Sequence, residues 1–306
     1  MIGDPSNPDE AVNFTSKSLS FVERYIELLG LVGFSKEDYA RDIALKLFQH
    51  GMIKTWFRHR PEGWEMRSGV WSPYYIDLRP LTSFKESWKI LPEVGLALGK
   101  TIEAKAPYVN KGLGVAEAAI ALSTAVTGYA RLPTCYTRKM EEVRTVEDFD
   151  TILSKYGQHS LVEGEIADGD RFVIIDDTVT MFDTKLVTKR QLDYELKRRE
   201  RMTGRKIEGV ECDNVLVLID REQGAEKVAR ENGMRLFSVI KFASEALSWM
   251  KGSMDPLEYE VMKDYCKDWR PYQDKEKRQE LFNEAMKESP FLQALREKGD
   301  SGRVQY

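Results

Sequence analysis

The chain has 306 residues, of which 42% are hydrophobic and 31% charged, with a formal net charge of -4. That is enough apolar material for one sizeable core with an appendage, or for two domains, and the charge gives the chain as a whole no attraction for a nucleic-acid backbone. Cys135, Cys212 and Cys266 lie far apart, and His50, His59 and His159 add no zinc-type spacing, so the thiols read as free and in a reducing compartment. No segment approaches the roughly 18 consecutive apolar residues of a membrane span, and the first residues lack the basic and apolar blocks of a signal peptide. The expectation is a cytoplasmic protein with neither nucleic acid nor membrane as partner.

Taken in chain order, residues 1–17 are polar and acidic with two prolines, and read as a flexible tail. Residues 18–65 carry two stretches, SLSFVERYIELLG and KEDYARDIALKLFQHG, with apolar residues at helical spacing and a terminal glycine, the pattern of two helices. Residues 66–250 alternate strand-like and helix-like segments. YYIDL, PYVNKGLG, LPTCYTR, RFVIIDD, NVLVLID and RLFSVIK are the strand candidates, with EAAIALSTAVTGYA and TKLVTKRQLDYELKRRERM among the helices between them. Such alternation predicts an α/β fold, a doubly wound and mainly parallel sheet. Residues 251–306 are charged, with PLEYEVMKDYCKDW and KEKRQELFNEAMKESPFLQAL predicting one or two added helices.

Two strands, FVII and VLVLI, are near-continuous apolar runs, as in interior strands covered on both faces. Each ends in charge: Asp176 and Asp177 in one, Asp220, Arg221 and Glu222 in the other. Ligands of open parallel sheets bind beyond the carboxyl ends of the strands, so topology aims these charges at a ligand. An aspartate pair there can bind a metal, accept hydrogen bonds from a sugar diol, or act as acid and base; equally, Asp177 or Thr178 can simply cap the next helix. Thr180 and Thr184 add hydroxyls, and a helix starting near Thr184 turns its amino terminus toward the loop, which suits a phosphate.

Across about residues 42–247 the chain resembles the orotate phosphoribosyltransferases, members of the type I phosphoribosyltransferase family. MRSGVWSPYYIDLR is similar to the family's K-S-G-x-x-S-P-x-Y-x-D-L-R segment, and LGVAEAAIALSTA stands in the place of its G-V-P-Y loop and helix. YTRKMEEV resembles the start of the mobile loop, KYGQHSLVEGEIADGDRFVIIDDTVT the region through D-D-V-V-T, and VLVLIDREQGAEKVARENGMRLFSVIKFASEAL the L-D-R-E-Q-G-G strand, helix and last strand.

The resemblance implies a type I phosphoribosyltransferase core at 66–250, a hood of helices at 18–65 and a helical extension at 251–306. It implies transfer of phosphoribosyl from phosphoribosyl pyrophosphate (PRPP) to orotate with Mg2+ as cofactor, giving orotidine 5'-monophosphate in pyrimidine nucleotide synthesis, and a homodimer whose mobile loop serves the neighbouring subunit's site. Asp176 and Asp177 would hold the ribose hydroxyls, Thr180 and Thr184 the 5'-phosphate, and Arg221 the orotate. The bland alternative for Arg221 is a surface ion pair with Glu222. Arg67 takes the position of the phosphate-touching lysine, Tyr74 and Tyr75 open the base pocket, and no side chain is assigned to the metal directly.

Three places depart from the family pattern. Arg138 and Lys139 match the start of the mobile loop and Tyr156 its end, but 12 residues are inserted between, counted from the sequence. No register restores the catalytic lysine: Ser154 or Glu142 falls at its place, and Lys155 is the substitute candidate, with Asp177 as the other catalytic candidate. The phosphate loop has Phe182 and Asp183 where glycine is easiest, with Asp183 either facing the phosphate or turning away to cap the helix. Glu117 and Ala121 replace an aromatic residue and a proline in the pyrophosphate loop. The competing expectations are therefore an active transferase for orotate, a transferase for another base, and a catalytically impaired homologue that binds nucleotide as a sensor or scaffold.

Overall fold

In the computed structural model, residues 36–288 are described, apart from 67, 68, 86, 141, 157 and 158. The stretch SLSFVERYIELLG and the segment after 288 lie outside the described residues. The chain divides into two units, Met1–Tyr39 and Ala40–Tyr306, and every described strand belongs to the second.

Helix α1 (Lys36–Gln49) leads into a short strand β1 (Ile53–Thr55), which pairs antiparallel with β4 (Tyr74–Ile76). Between them a second pair forms from β2 (Trp64–Glu65) and β3 (Trp71–Ser72). YYIDL is thus a strand, but not one of the parallel sheet. Lacking a crossover helix before it, the segment closes locally on β1.

The main sheet is built by α2 (Ser87–Lys105), β5 (Lys111–Gly114), α3 (Ala118–Ala130), β6 (Thr134–Thr137), α4 (Val146–Tyr156), β7 (Val162–Glu163), β8 (Arg171–Val179), α5 (Asp183–Thr203), β9 (Glu211–Asp220), α6 (Ala225–Glu231) and β10 (Arg235–Lys241). The strand order is β10-β9-β8-β5-β6-β7, all parallel except the antiparallel β7 at one edge. This is the doubly wound sheet that the alternation predicts. Period-two alternation divides the interior strands between two cores. Val173, Ile175, Leu216 and Leu218 face the larger core with Val94, Ile102, Leu122 and Val126 of α2 and α3. Phe172, Ile174, Val215 and Val217 face the other with Leu192 of α5 and Ala225 and Ala229 of α6.

Helix α2 carries Pro92 and two glycines. A Cβ added at Gly95 would stand 2.6 Å from the Ala125 carbonyl oxygen, so that glycine lets α2 and α3 approach backbone to backbone. That contact fixes α3, and with it the loop 115–117 at its amino end.

After β10 a π-turn, Phe242–Ala246, runs into α7 (Leu247–Met250), followed by α8 (Pro256–Lys267) and α9 (Lys275–Glu288). Asp255 starts α8 through a reciprocal capping box with Glu258. Helix α8 is built into the larger core through Val261, Met262 and Tyr265, and the 3-10 turn Arg270–Gln273 that follows it through Tyr272. The fully buried Glu258 carboxylate accepts from the Thr55 hydroxyl and pairs with Arg58 at 2.9 Å, joining α8 to β1. No helix among the described residues is long and apolar enough to cross a membrane.

Candidate functional site

The carboxyl ends of β5, β6, β8, β9 and β10 deliver five short segments to one edge of the sheet. Strand β8 brings Asp176 and Asp177, which are strand residues rather than helix caps. Each carboxylate accepts from the next backbone N–H: Asp177 N–H donates to Asp176 Oδ1 at 2.8 Å, and Thr178 N–H to Asp177 Oδ1 at 2.6 Å. Asp176 is buried at 7% exposure. Its other oxygen takes a 2.5 Å contact from the Lys185 ammonium, a residue the sequence pattern did not single out. Asp177 is half-buried, and among the described residues no cation pairs with it. Desolvation, and then the charge of Asp176, push its carboxyl up to about 7, against the pull of Lys185.

Beyond β8 the chain turns through Thr180, Met181 and Phe182 into α5. Thr180 is half-buried, Met181 is exposed, and Phe182 has φ 88° and ψ -12°, the left-handed conformation that favours glycine. The turn is thus left-handed with a phenylalanine in it. Its ring is 2% exposed and belongs to the core between sheet, α5 and α6, so burial offsets the strain. The helix starts one residue earlier than Thr184. Asp183 is its exposed first residue, while the capping position belongs to Phe182 and makes no side-chain cap bond, so Asp183 is not the cap that the sequence left open. Replacing Phe182 with glycine relieves roughly 1 kcal/mol of backbone strain and forfeits roughly 3–5 kcal/mol of buried aromatic packing. A net loss of about 2–4 kcal/mol in urea unfolding is expected, and a variant as stable as the parent would show that the ring does not anchor the turn.

Strand β9 brings Arg221, whose backbone N–H donates to Val179 O at 3.1 Å. Its side chain is only 4% exposed. The guanidinium donates to Tyr74 Oη at 3.3 Å and Ser72 Oγ at 3.2 Å, lies 4.3 Å over the Tyr74 ring, and approaches Met66 Sδ at 3.9 Å. Among the described residues no carboxylate lies within ion-pair distance of it. The bland reading, a surface pair with Glu222, is not what forms: Glu222 instead accepts from the Ser244 N–H at 2.7 Å and hydroxyl at 2.8 Å. Tyr74 is fully buried and stacks on Phe242 at 4.4 Å, and burial pushes its phenol up, so it stays neutral. Tyr75 is half-buried and stacks on Trp64 at 6.1 Å.

The wall carrying Ser72 and Tyr74 is held from behind by the C-terminal helices. Trp71 N–H donates to Gln273 Oε1 at 2.8 Å, while Trp71 O accepts from the Tyr265 hydroxyl at 2.9 Å and Gln273 Nε2 at 3.2 Å. Trp71 also lies parallel to Tyr272 at 6.2 Å. The extension thus braces the wall on which Arg221 lies.

The remaining candidates lie around β5 and β6. At the end of β5, the Ala116 N–H donates to Thr137 Oγ1 at 3.2 Å, and exposed Glu117 precedes α3. Lys139 reaches Glu117 at 3.5 Å, and Arg138 pairs with Glu163 at 2.6 Å. The inserted segment is helix α4. Thr145 and Asp148 cap it reciprocally, with Asp148 N–H donating to Thr145 Oγ1 at 3.1 Å and Thr145 N–H to Asp148 Oδ2 at 2.9 Å. Phe149 packs in a small core with Met140, Leu161 and Val187, the last from α5. Arg138 O accepts from Gln191, and Leu161 N–H donates to buried Glu195, which pairs with Arg198 and Arg199. Where the resemblance implies a loop reaching toward a neighbour, this segment is docked on α5 of its own chain. Lys155 and Tyr156 are in α4 with side chains outside the described set, and Arg67 lies outside the described residues.

The edge therefore gathers Asp176 and Asp177 at the end of β8, Thr180 and Thr184 in the turn and first turn of α5 that follow, and Arg221 just after the adjacent β9, with Tyr74 against Arg221. Arg138 and Lys139 stand two strands away from β8, at the end of β6. Lys185, Ser72, Phe242 and Gln273 were not selected from the sequence. For Lys185 there was one signal: a cation in the first turn of a helix opposes the helix dipole and calls for a compensating partner.

No family model matches the chain. It is 30% identical over 179 residues to the uridine 5'-monophosphate synthase of Bos taurus, an alignment that takes in 58% of this chain and 32% of that protein. It is 26% identical over 175 residues to the orotate phosphoribosyltransferase of Methanocaldococcus jannaschii, 57% of this chain and 82% of that one. The chain thus spans about a third of the cattle protein and most of the archaeal one. The structure of Leishmania donovani UMP synthase superposes with a TM-score of 0.58 at 22% identity, over 75% of this chain and 42% of that one. The chain is similar in sequence to orotate phosphoribosyltransferases, and its fold is that of the type I phosphoribosyltransferases.

Proposed function

We propose that this chain is an orotate phosphoribosyltransferase, forming orotidine 5'-monophosphate and pyrophosphate from orotate and PRPP. The observation that carries the reading is Arg221: a buried guanidinium lined, among the described residues, by neutral groups, one strand away from the buried Asp176 and half-buried Asp177. A charge buried without a counter-ion is costly, and a planar carboxylate-bearing base supplies the partner in the geometry a guanidinium fits best. The names of the cattle and archaeal relatives support the same activity.

In this reading Asp176 and Asp177 accept hydrogen bonds from the ribose 2'- and 3'-hydroxyls. Thr180, Thr184 and the free N–H groups at the start of α5 take the 5'-phosphate. Arg221 grips orotate against Tyr74 and Tyr75. Arg138 and Lys139 face the pyrophosphate beside the 115–117 loop, with Arg67 and Lys155 as further cations for the same leaving group. The bond from C1' to pyrophosphate breaks as the orotate nitrogen bonds to C1', and the chain's work is to align the two and to spread the departing charge.

Among the described residues no group of three or more His, Cys, Asp or Glu is disposed to hold a metal ion. Mg2+ belongs to this reading as the resemblance implies it: bound with PRPP, it would neutralise the departing pyrophosphate. We propose further that the chain is a homodimer, with α4 staying on its own subunit. The domain reading, a transferase core at 66–250 with added helices on either side, is part of the same proposal.

The test is the full chain with Mg2+, orotate and PRPP. Orotate absorbance falls and pyrophosphate appears in equal amount, and light scattering gives twice the chain mass. Absence of turnover at any enzyme concentration, with calorimetry still detecting orotidine 5'-monophosphate, would instead identify a nucleotide-binding homologue.

A further inference from the structure

Lys185 stands where two effects oppose it. It is in the first turn of α5, where the helix dipole disfavours a cation, and it is buried at 3% exposure, where an ammonium must be fully paired. All three of its protons are used: one to Asp176 Oδ2 at 2.5 Å, one to Thr178 O at 2.8 Å and one to Thr184 Oγ1 at 3.0 Å. An ammonium only donates, so the bond to Thr184 occupies a hydroxyl lone pair and leaves the Thr184 hydrogen free to point elsewhere. Thr184 is exposed toward solvent, while Asp176 has one oxygen on Lys185 and the other on a backbone N–H.

We propose that Lys185 is a positioning residue for the phosphate turn, a resident cation beneath it that pins Asp176 and orients the Thr184 hydroxyl outward to donate to a sugar 5'-phosphate. This role deepens the transferase reading and rests on it for the identity of the ligand. It accounts for a turn that carries Phe182 and Asp183 where glycine would be easiest. The ammonium ties the end of β8 to the first turn of α5, which the bare backbone of a glycine turn does unaided. It also adds a positive charge under a loop whose Asp183 brings a negative one. A lysine has the reach and the three donors to join a strand carboxylate, a strand carbonyl and a helix hydroxyl.

The experiment compares the full chain with Lys185→Met, using ribose 5-phosphate, orotate and amide hydrogen exchange. Ribose 5-phosphate affinity by calorimetry falls at least tenfold in the variant. The KM for PRPP rises by a similar factor, orotate affinity stays within twofold, and the amides of residues 180–184 exchange at least tenfold faster. An unchanged ribose 5-phosphate affinity overturns the proposal, and so does an equal loss of orotate affinity, which marks general loosening. If the parent binds no ribose 5-phosphate, the transferase reading fails by itself, and unchanged exchange of the 180–184 amides in Lys185→Met then overturns the positioning role separately. Should Lys185→Met fail to fold because Asp176 is left unpaired, Asp176→Asn/Lys185→Met removes both charges. Fast exchange at 180–184 in that folded double variant supports the proposal, and parental exchange overturns it.

Discussion

Arg221→Met is expected to lower kcat/KM for orotate by about 10²–10⁴ while leaving the protein folded and nearly as stable as the parent. Charge-assisted bonds from a buried guanidinium to a carboxylate are each worth roughly 1.5–3 kcal/mol, and two of them lost together correspond to that range at about 1.4 kcal/mol per tenfold. The stability side comes from the empty-handed state of the residue. Its contacts are the Tyr74 hydroxyl and ring, the Ser72 hydroxyl and the Met66 sulfur, all neutral. A methionine of similar length fills the space without leaving a charge behind, so the unfolding free energy moves by no more than about 1 kcal/mol. Steady-state kinetics with orotate varied, together with urea unfolding, measures both. A variant that is active, or one that loses stability in step with activity, would make Arg221 a structural residue.

Asp177→Asn separates activity from stability in the opposite direction. The Asp177 carboxyl, ordinarily near 3.8, is raised to about 7 by its burial and by the charge of Asp176. Between those values the folded state holds a proton that the unfolded state has lost, so stability falls as pH rises. The contribution is complete below about 3.8 and gone above about 7. Asparagine cannot ionise, so the variant is expected to be more stable than the parent at pH 8, by about 2 kcal/mol after allowance for partial exposure, and equal to it near pH 4. Turnover moves the other way. A carboxylate accepts from two ribose hydroxyls and an amide does so only through its oxygen, so Asp177→Asn loses about 10²-fold or more in kcat/KM for PRPP. In the parent, kcat/KM rises from about pH 6 and levels off above about 7. Urea midpoints at pH 4, 6 and 8 and a pH–rate profile decide it; a variant destabilised at pH 8 would contradict the protonation argument.

Along the chain, most of the sheet and the aspartate pair were legible. The apolar runs in β8 and β9 are long enough to mark interior strands, and the charges after them fall where a parallel sheet receives ligands. Helix α2 was harder to see, because Pro92, Gly95 and Gly99 look like breakers in one dimension. In three dimensions Gly95 is the surface on which α3 lies. YYIDL has strand composition, and nothing in it distinguishes a short antiparallel pairing with β1 from a place in the main sheet. The left-handed turn could be predicted from its position in the loop, whereas its occupation by a buried phenylalanine could not, since that depends on a cavity formed by α5 and α6.

The sequence by itself determined the α/β architecture and the edge at which the charges gather, since strand period, crossover alternation and loop chemistry are all local properties. Tertiary structure alone decided what each charge does. Lys185 pins one oxygen of Asp176 while Asp177 is left to titrate, Arg221 turns inward away from its neighbour Glu222, and Gln273 braces Trp71 from 202 positions away. Pairings of this kind depend on which side chains the packed core brings within hydrogen-bond distance, and burial, by removing water as the competing partner, is what makes each of them matter.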